Sequence, residues 1–159
     1  MKKLVSLGVV ALFIGMTAMT LSGSQDGDVN DSIRERFIGA WRLAWLEQQS
    51  ADGKVHRIDC CGMLVYTHDG HMSVQVMYRS PQAGTNAAPV QYAQDGYEAS
   101  FGTYEIDERA HNFTYHVEGA LVWTLIGKDL VRVYDFSGKQ LIVKSYSSNE
   151  HWRVAWEHY

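Results

Sequence analysis

Four polar side chains in the second half of the chain could form a chemically active group if they face one another: Tyr104, His116, Glu118 and Arg132. A buried arginine requires a carboxylate partner, and Glu118 is the candidate partner for Arg132. A neutral histidine beside a carboxylate can act as a general base, and a tyrosine hydroxyl can act as the matching acid. The same residues could instead supply polar contacts to a bound molecule, or form a structural network that touches no ligand. Their spacing leaves these three interpretations open.

Other residue groups carry weaker chemical signals. Cys60 and Cys61 are adjacent and are the only cysteines, and neighbouring cysteines cannot form an ordinary disulfide. We interpret them as two small apolar residues at the start of a strand, with a strained vicinal bridge or a pair of reactive thiols as alternatives. His68 and His71 flank a turn, where histidines are more often solvated than metal-bound. Because the sequence also has no phosphate loop, dinucleotide fingerprint, nucleophile elbow or HExxH motif, we expect no metal and no cofactor.

The composition is that of one ordinary folded domain. The chain has 159 residues, of which 46% are hydrophobic and 20% are charged, and these values exclude intrinsic disorder as the main state. The net charge of −4 argues against binding to nucleic acid, which requires a basic face. Nine tyrosines and five tryptophans favour a β-rich core or a pocket walled by aromatic rings.

The first residues have the organisation of an export signal. Lys2 and Lys3 precede an almost wholly apolar run from Leu4 to Met19, which is short for a membrane-spanning helix. We therefore predict a signal peptide over residues 1–24, a flexible segment over 25–35 and a single domain over 36–159. The alternative is an uncleaved membrane anchor.

The predicted cleavage site also resembles a bacterial lipoprotein signal in which Ser24 replaces the lipid-accepting cysteine. A hydroxyl cannot form the thioether bond to the lipid. The expected location is periplasmic or extracellular, without a lipid anchor and without stable membrane insertion after the signal is removed.

From residue 37 onward, short segments alternate between apolar and polar residues with period 2, which is typical of half-buried strands. In the first segment this alternation places Trp41, Leu43 and Trp45 on one face. Asp69-Gly70 predicts a tight hairpin, because such turns need the positive φ that glycine adopts readily. Residues 79–89 form the longest predicted loop, and Val90–Ser100 is predicted as a short helix because it lacks β-branched residues after Val90.

About eight or nine strands joined mostly by tight turns predict an all-β fold, a single antiparallel up-and-down β-barrel with one short helix. Closure of the barrel removes the sheet edges that invite aggregation. An eight-stranded barrel has an interior just wide enough for one small ligand.

Several ordered segments resemble the lipocalin-like domain proteins of bacteria and fungi. These segments are Phe37–Leu43, Leu64–Gln75, Phe101–Asp107, His116–Gly119 and Leu130–Arg132. The resemblance extends from about Ile33 to the C-terminus and implies a lipocalin-like barrel. It implies no catalytic residues, because the family has no single shared reaction.

The direction in which the side chains of each strand point decides which of the four polar residues can lie close together. In the strand of Arg132, alternation points Arg132 and its apolar neighbours into the barrel. In the strand of His116, hydrophobicity alone points Phe113, Tyr115 and Val117 inward, whereas the family resemblance favours His116 and Glu118 inward. We adopt the second arrangement, which predicts a polar cluster at the floor of an otherwise apolar cavity.

The sequence therefore predicts an exported lipocalin-like protein that binds a small, mostly hydrophobic molecule in the barrel interior. The predicted ligand-binding residues are Tyr66, Tyr104, His116, Glu118, Trp123 and Arg132. One alternative is an isomerase, cyclase or hydrolase that acts on a hydrophobic molecule with His116 and Tyr104 as acid and base. Another is a structural or partner-binding module whose barrel is filled by its own side chains.

Overall fold

The computed structural model describes residues 33–50, 52–79 and 92–159. The predicted signal peptide and most of the predicted 79–89 loop lie outside these residues. The described chain begins with one short helix, α1, at residues 33–37.

Nine antiparallel strands follow within the described residues. Their bounds are β1 Gly39–Gln49, β2 Val55–Ile58, β3 Cys60–Tyr66, β4 His71–Tyr78, β5 Tyr97–Asp107, β6 Asn112–Ala120, β7 Asp129–Ser137, β8 Gln140–Ser145 and β9 Trp152–His158. A single 3-10 turn, Trp123–Leu125, lies between β6 and β7.

The strands close into a barrel of eight, with β2 as an additional strand. Neighbouring strands pair in the order β2-β1-β3-β4-β5-β6-β7-β8-β9, and β1 also pairs with β9. Strand β2 pairs with the second half of β1 and β3 pairs with its first half, so β2 and β3 form one long strand interrupted at Asp59. The predicted all-β fold, a single antiparallel barrel, is confirmed, and its short helix lies at residues 33–37 rather than within Val90–Ser100.

Local sequence explains the turns and the closest strand contacts. Gly70 has a φ of 87° in the tight turn before β4, as the Asp69-Gly70 pair predicted. Gly102 lies opposite a bulge in β6, where a Cβ atom would lie 1.9 Å from the carbonyl oxygen of His116. Only glycine permits this approach of β5 to β6.

Two local predictions are wrong. The described part of Val90–Ser100 contains no helix: Tyr97–Ser100 begins β5, because pairing with β4 outweighs the weak strand preference of the segment. Trp45 does not share the inner face with Trp41, because the β1–β9 register shifts between Leu43 and Trp45. This bulge turns Trp45 outward, where its ring lies beneath the guanidinium groups of Arg57 and Arg153.

One end of the barrel, which we call the filled end, is closed by aromatic side chains. Phe37, the last residue of α1, is fully buried. Its ring centroid lies 5.0–6.3 Å from those of five other rings: Tyr66, Tyr104, Phe113, Tyr134 and Phe136. The indole N–H of Trp41 donates a 2.7 Å hydrogen bond to the carbonyl oxygen of Phe37, which fixes the end of α1 against β1.

Candidate functional site

The opposite end of the barrel, which we call the hollow end, contains a cavity of about 90 Å³. Its walls are mainly apolar side chains, including Leu43, Leu64, Val74, Val76, Val143 and Val154. Tyr92 and Leu125, which lie outside the strands, also line it and place it toward the β4–β5 and β6–β7 connections. The volume exceeds the space required by a single water molecule several-fold, so the cavity can hold a small organic molecule.

Glu98 brings a carboxyl group into this apolar cavity from the start of β5. The residue pairs with Val76 of β4 and lines the cavity as a partly buried side chain. The structure records no hydrogen bond and no ion pair between its carboxylate and any described residue. Burial raises the pKa of Glu98 to about 7, and the charge of Arg132 lowers it only in part.

Sequence reasoning missed Glu98, because its segment was predicted as a helix. A usable signal was present: Glu98, Ser100 and Gly102 continue the period-2 face of Tyr104 toward the start of the strand. Extending the predicted strand backward along that face would have placed Glu98 inside the barrel.

Arg132 is buried on the inner face of β7 and lines the cavity, as predicted. Its guanidinium carbon lies 5.0 Å from the ring centroid of Tyr92 and 5.0 Å from that of Trp152. Its Nη1 lies 4.0 Å from Oε2 of Glu150 and donates to the carbonyl oxygen of Val131 at 3.4 Å. Two aromatic rings, one carboxylate and one carbonyl therefore compensate the charge of Arg132.

Glu150 organises the rim of the cavity. Its Oε2 accepts hydrogen bonds from the Tyr92 hydroxyl at 2.8 Å and from the Trp152 indole N–H at 3.0 Å. Burial alone would raise the pKa of Glu150, but hydrogen bonding to Ser145, Tyr92 and Trp152 and the charge of Arg132 lower it. Glu150 is thus held in the ionised form and positions the two rings that contact Arg132.

Two tyrosine hydroxyls inside the barrel have no hydrogen-bond partner among the described residues. Tyr66 and Tyr115 line the cavity, and their buried hydroxyl oxygens have no hydrogen-bond partner within the described part of the chain. Burial raises the pKa of Tyr115 to about 12 and that of Tyr66 well above its ordinary value, so both remain neutral donors. An unsatisfied buried polar group costs about 1–3 kcal/mol, which a bound molecule with complementary groups would recover.

The prediction that His116 and Glu118 face inward is wrong. Phe113, Tyr115 and Val117 are the buried residues of β6, whereas Glu118 is exposed. The hydrophobic alternation of β6 therefore decides its facing, which leaves His116 and Glu118 on the outer side. The partner of Arg132 is Glu150 rather than Glu118.

His116 instead belongs to a polar cluster on the outer surface. Its Nδ1 lies 2.7 Å from Oδ1 of Asp129, and its Nε2 lies 4.0 Å from Oε2 of Glu105. The wall of the barrel separates this ring from the interior. His116 and Tyr104 therefore do not meet at a common site.

The remaining predicted binding residues lie in three different environments. Tyr66 lines the cavity. Tyr104 faces inward but packs within the filled end, where its hydroxyl donates to the carbonyl oxygen of Thr67 at 3.1 Å. Trp123 is 82% exposed and lies outside the cavity, because the 3-10 turn that carries it buries none of its residues.

The cysteines and turn histidines form no site in this structure. Cys60 begins β3, as expected, and both cysteines are free thiols. Burial raises the pKa of the Cys60 thiol to about 11, which makes it a poor nucleophile. His68 and His71 lie beside Glu35 and Asp69 respectively, and the described residues contain no group of three or more His, Cys, Asp or Glu side chains that could hold a metal ion.

Comparison with known proteins agrees with this architecture. Within the described ranges, no helix is both long and apolar enough to cross a membrane. A comparison with curated protein sequences finds no significant match. The family model for the lipocalin-like domain matches residues 38–158, which include the whole closed barrel. A lipocalin-like barrel suggests binding of a small molecule, and the chain belongs to the lipocalin-like domain family.

Proposed function

We propose that this protein is exported and binds a small, mostly hydrophobic molecule in the hollow end of its barrel. The observation that carries the proposal is the cavity itself, whose walls are apolar side chains interrupted by a few polar groups that have no hydrogen-bond partner in the described part of the chain. Binding sites for small molecules commonly combine apolar walls with a small number of placed polar groups. A barrel that served only as a structural module would be filled along its whole length.

The positions of Tyr104 and His116 favour ligand binding over the catalytic alternative. The proposed acid and base, Tyr104 and His116, lie on opposite faces of the barrel wall. Tyr104 already donates its hydroxyl proton to a backbone carbonyl. Tyr104 and His116 therefore cannot act together on one substrate inside the barrel.

Native mass spectrometry of protein purified from its own host is the direct test of binding. We expect a co-purified small molecule. Isothermal titration calorimetry of the emptied protein with butan-1-ol, which is small enough for the cavity, gives a second measurement with a defined probe.

A matched pair of variants locates the binding. Val143→Phe fills the cavity from β8, whereas Val133→Phe adds the same volume on the outer face of β7. We expect the first variant to abolish probe binding and the second to preserve it. Equal binding by both would contradict the proposed site.

Export is tested separately by N-terminal sequencing of periplasmic or culture material. We expect the mature chain to begin near Gln25, because the apolar run with its basic start has the organisation of a cleaved signal. Mature material that begins at Met1 would favour the uncleaved anchor instead.

A further inference from the structure

The charged groups of the cavity are not balanced. Arg132 and Glu98 are the charged side chains among the described lining residues. Glu150 does not line the cavity, but it lies 4.0 Å from Arg132 and accepts hydrogen bonds from two lining residues, Tyr92 and Trp152. With Glu98 ionised, these three charged groups sum to one negative charge, and the carboxylate of Glu98 is the one without a recorded ion pair among the described residues, which is unfavourable for a buried charge.

The surroundings of Glu98 also suit a particular type of partner. Aromatic rings from several elements line the same cavity, namely those of Tyr66, Tyr78, Tyr92, Tyr115, Trp152 and Trp156. Aromatic faces attract organic cations, and a carboxylate combined with such rings is an arrangement that recognises ammonium groups. The guanidinium of Arg132 contacts the two rings and Glu150, and its charge lowers the pKa of Glu98 only in part.

We propose that the natural ligand of the cavity is a small amine, whose protonated nitrogen pairs with the Glu98 carboxylate while its apolar part packs against the aromatic and aliphatic walls. This inference rests on the proposed function, since it names the ligand class of the same cavity. A monocation brings the cavity to neutrality and gives Glu98 the hydrogen-bond donor that no described residue supplies. The Tyr66 and Tyr115 hydroxyls remain available for any further polar group of the ligand.

Three probes with one four-carbon chain, small enough for the cavity of about 90 Å³, test the proposal: butylamine, butan-1-ol and butanoate. Isothermal titration calorimetry at pH 7.5 gives their dissociation constants. We expect the amine to bind at least about tenfold more tightly than the alcohol, which is the value of one hydrogen bond to a charged group. The acid should bind most weakly, because its carboxylate adds to the existing negative charge.

Two variants assign the preference to Glu98. Glu98→Gln keeps the shape and removes the charge, so the amine and the alcohol should then bind with similar affinity. The matched control is Glu105→Gln, an exposed position on the outer face of the same strand, which should retain the full preference for the amine.

A measurement on the unaltered protein remains informative if Glu98→Gln does not fold. The groups that face Glu98 are Arg132 from β7, Tyr78 from β4, Tyr115 from β6 and Cys60 from β3. Burial raises the pKa values of Tyr78, Tyr115 and Cys60 to about 11 or 12. Glu98 is therefore the facing group that ionises between pH 5.5 and 8, and amine affinity should rise over this interval while alcohol affinity stays constant.

The outcomes distinguish failure of the amine proposal from failure of the proposed binding function. If the alcohol or the acid binds as tightly as the amine, or if the preference survives in Glu98→Gln, the amine proposal is wrong and binding in the cavity still stands. If none of the three probes binds, both the amine proposal and the proposed function are contradicted.

Discussion

The two ends of the barrel use the same kinds of side chain in different ways. At the filled end, the ring of Phe37 is fully buried among five other aromatic rings. At the hollow end, rings of similar size surround a cavity that also contains Glu98 and Arg132. Aromatic content therefore does not distinguish a filled barrel from a binding barrel; the placement of the rings and the charges among them does.

Hydrogen bonding shows the same contrast. Trp41 and Tyr104 at the filled end donate to backbone carbonyls, and the Tyr134 hydroxyl is an exception without a partner among the described residues. At the hollow end, the Tyr66 and Tyr115 hydroxyls and the Glu98 carboxyl have no internal hydrogen bond in the described chain. One end is complete by itself, whereas the other presents groups that a bound molecule can satisfy.

Removal of the Phe37 ring should destabilise the packing of the filled end. We expect Phe37→Ala to destabilise the protein by about 3–5 kcal/mol, because it leaves a cavity among rings that cannot collapse onto the gap. Denaturant unfolding measures the change. A loss below about 1 kcal/mol would mean that α1 does not close the barrel in solution.

A matched pair of leucines sharpens the comparison between the ends. Leu141 at the start of β8 is fully buried, whereas Leu130 on β7 lines the cavity. We expect Leu141→Ala to cost about 2–5 kcal/mol and Leu130→Ala to cost clearly less, because its side chain already borders open space. Equal losses in denaturant unfolding would show that the hollow end is as tightly packed as the filled end.

The charge of Glu98 should make the hollow end sensitive to pH. A carboxyl whose pKa is raised in the folded state binds more protons there than in the unfolded state, so stability falls as pH rises from about 4.5 to about 7. Glu98→Gln removes this cost, and we expect it to stabilise the protein by about 1–3 kcal/mol at pH 8 and by less than about 1 kcal/mol at pH 5.

Denaturant unfolding at the two pH values measures this effect. Glu105→Gln is the control, since that carboxylate is exposed on the outer face, and it should show no such difference. Destabilisation by Glu98→Gln at pH 8 would indicate that the Glu98 carboxylate is stabilised by a partner in the folded protein.

The sequence predicted the barrel because period-2 alternation survives in nearly every strand, and it predicted Arg132 inward for the same reason. It failed where register shifts interrupt the alternation, as between Leu43 and Trp45. For β6, the hydrophobic residues gave the correct facing, and the family resemblance led to the wrong one. Glu98 escaped notice because strand pairing, rather than local preference, determines the structure of its segment. The cavity results from packing between distant strands, which no local pattern encodes.

The cysteines at the start of β3 should have little effect on either end. We expect Cys60→Ala combined with Cys61→Ala to cost less than about 2 kcal/mol, because both are free thiols and no loop is closed by them. Cys60 is buried, so removal of its sulfur atom should lower the free energy of unfolding slightly. A larger loss in denaturant unfolding would indicate a structural vicinal bridge or tighter burial than the structure shows.

The smallest expected effect concerns the pair that sequence reasoning placed at the cavity floor. A buried ion pair between Glu118 and Arg132 would cost about 3–5 kcal/mol when one partner is removed. Because Glu118 is exposed and Arg132 contacts Glu150 instead, we expect Glu118→Gln to cost about 0–1 kcal/mol. A double-mutant cycle of Glu118→Gln with Arg132→Met should give a coupling energy near zero.

The same cycle with Glu150→Gln in place of Glu118→Gln should give a measurable coupling energy, because Oε2 of Glu150 lies 4.0 Å from Nη1 of Arg132 in a partly buried setting. A strong coupling to Glu118 with none to Glu150 would reverse the facing of β6, and it would move His116 from the outer surface into the barrel.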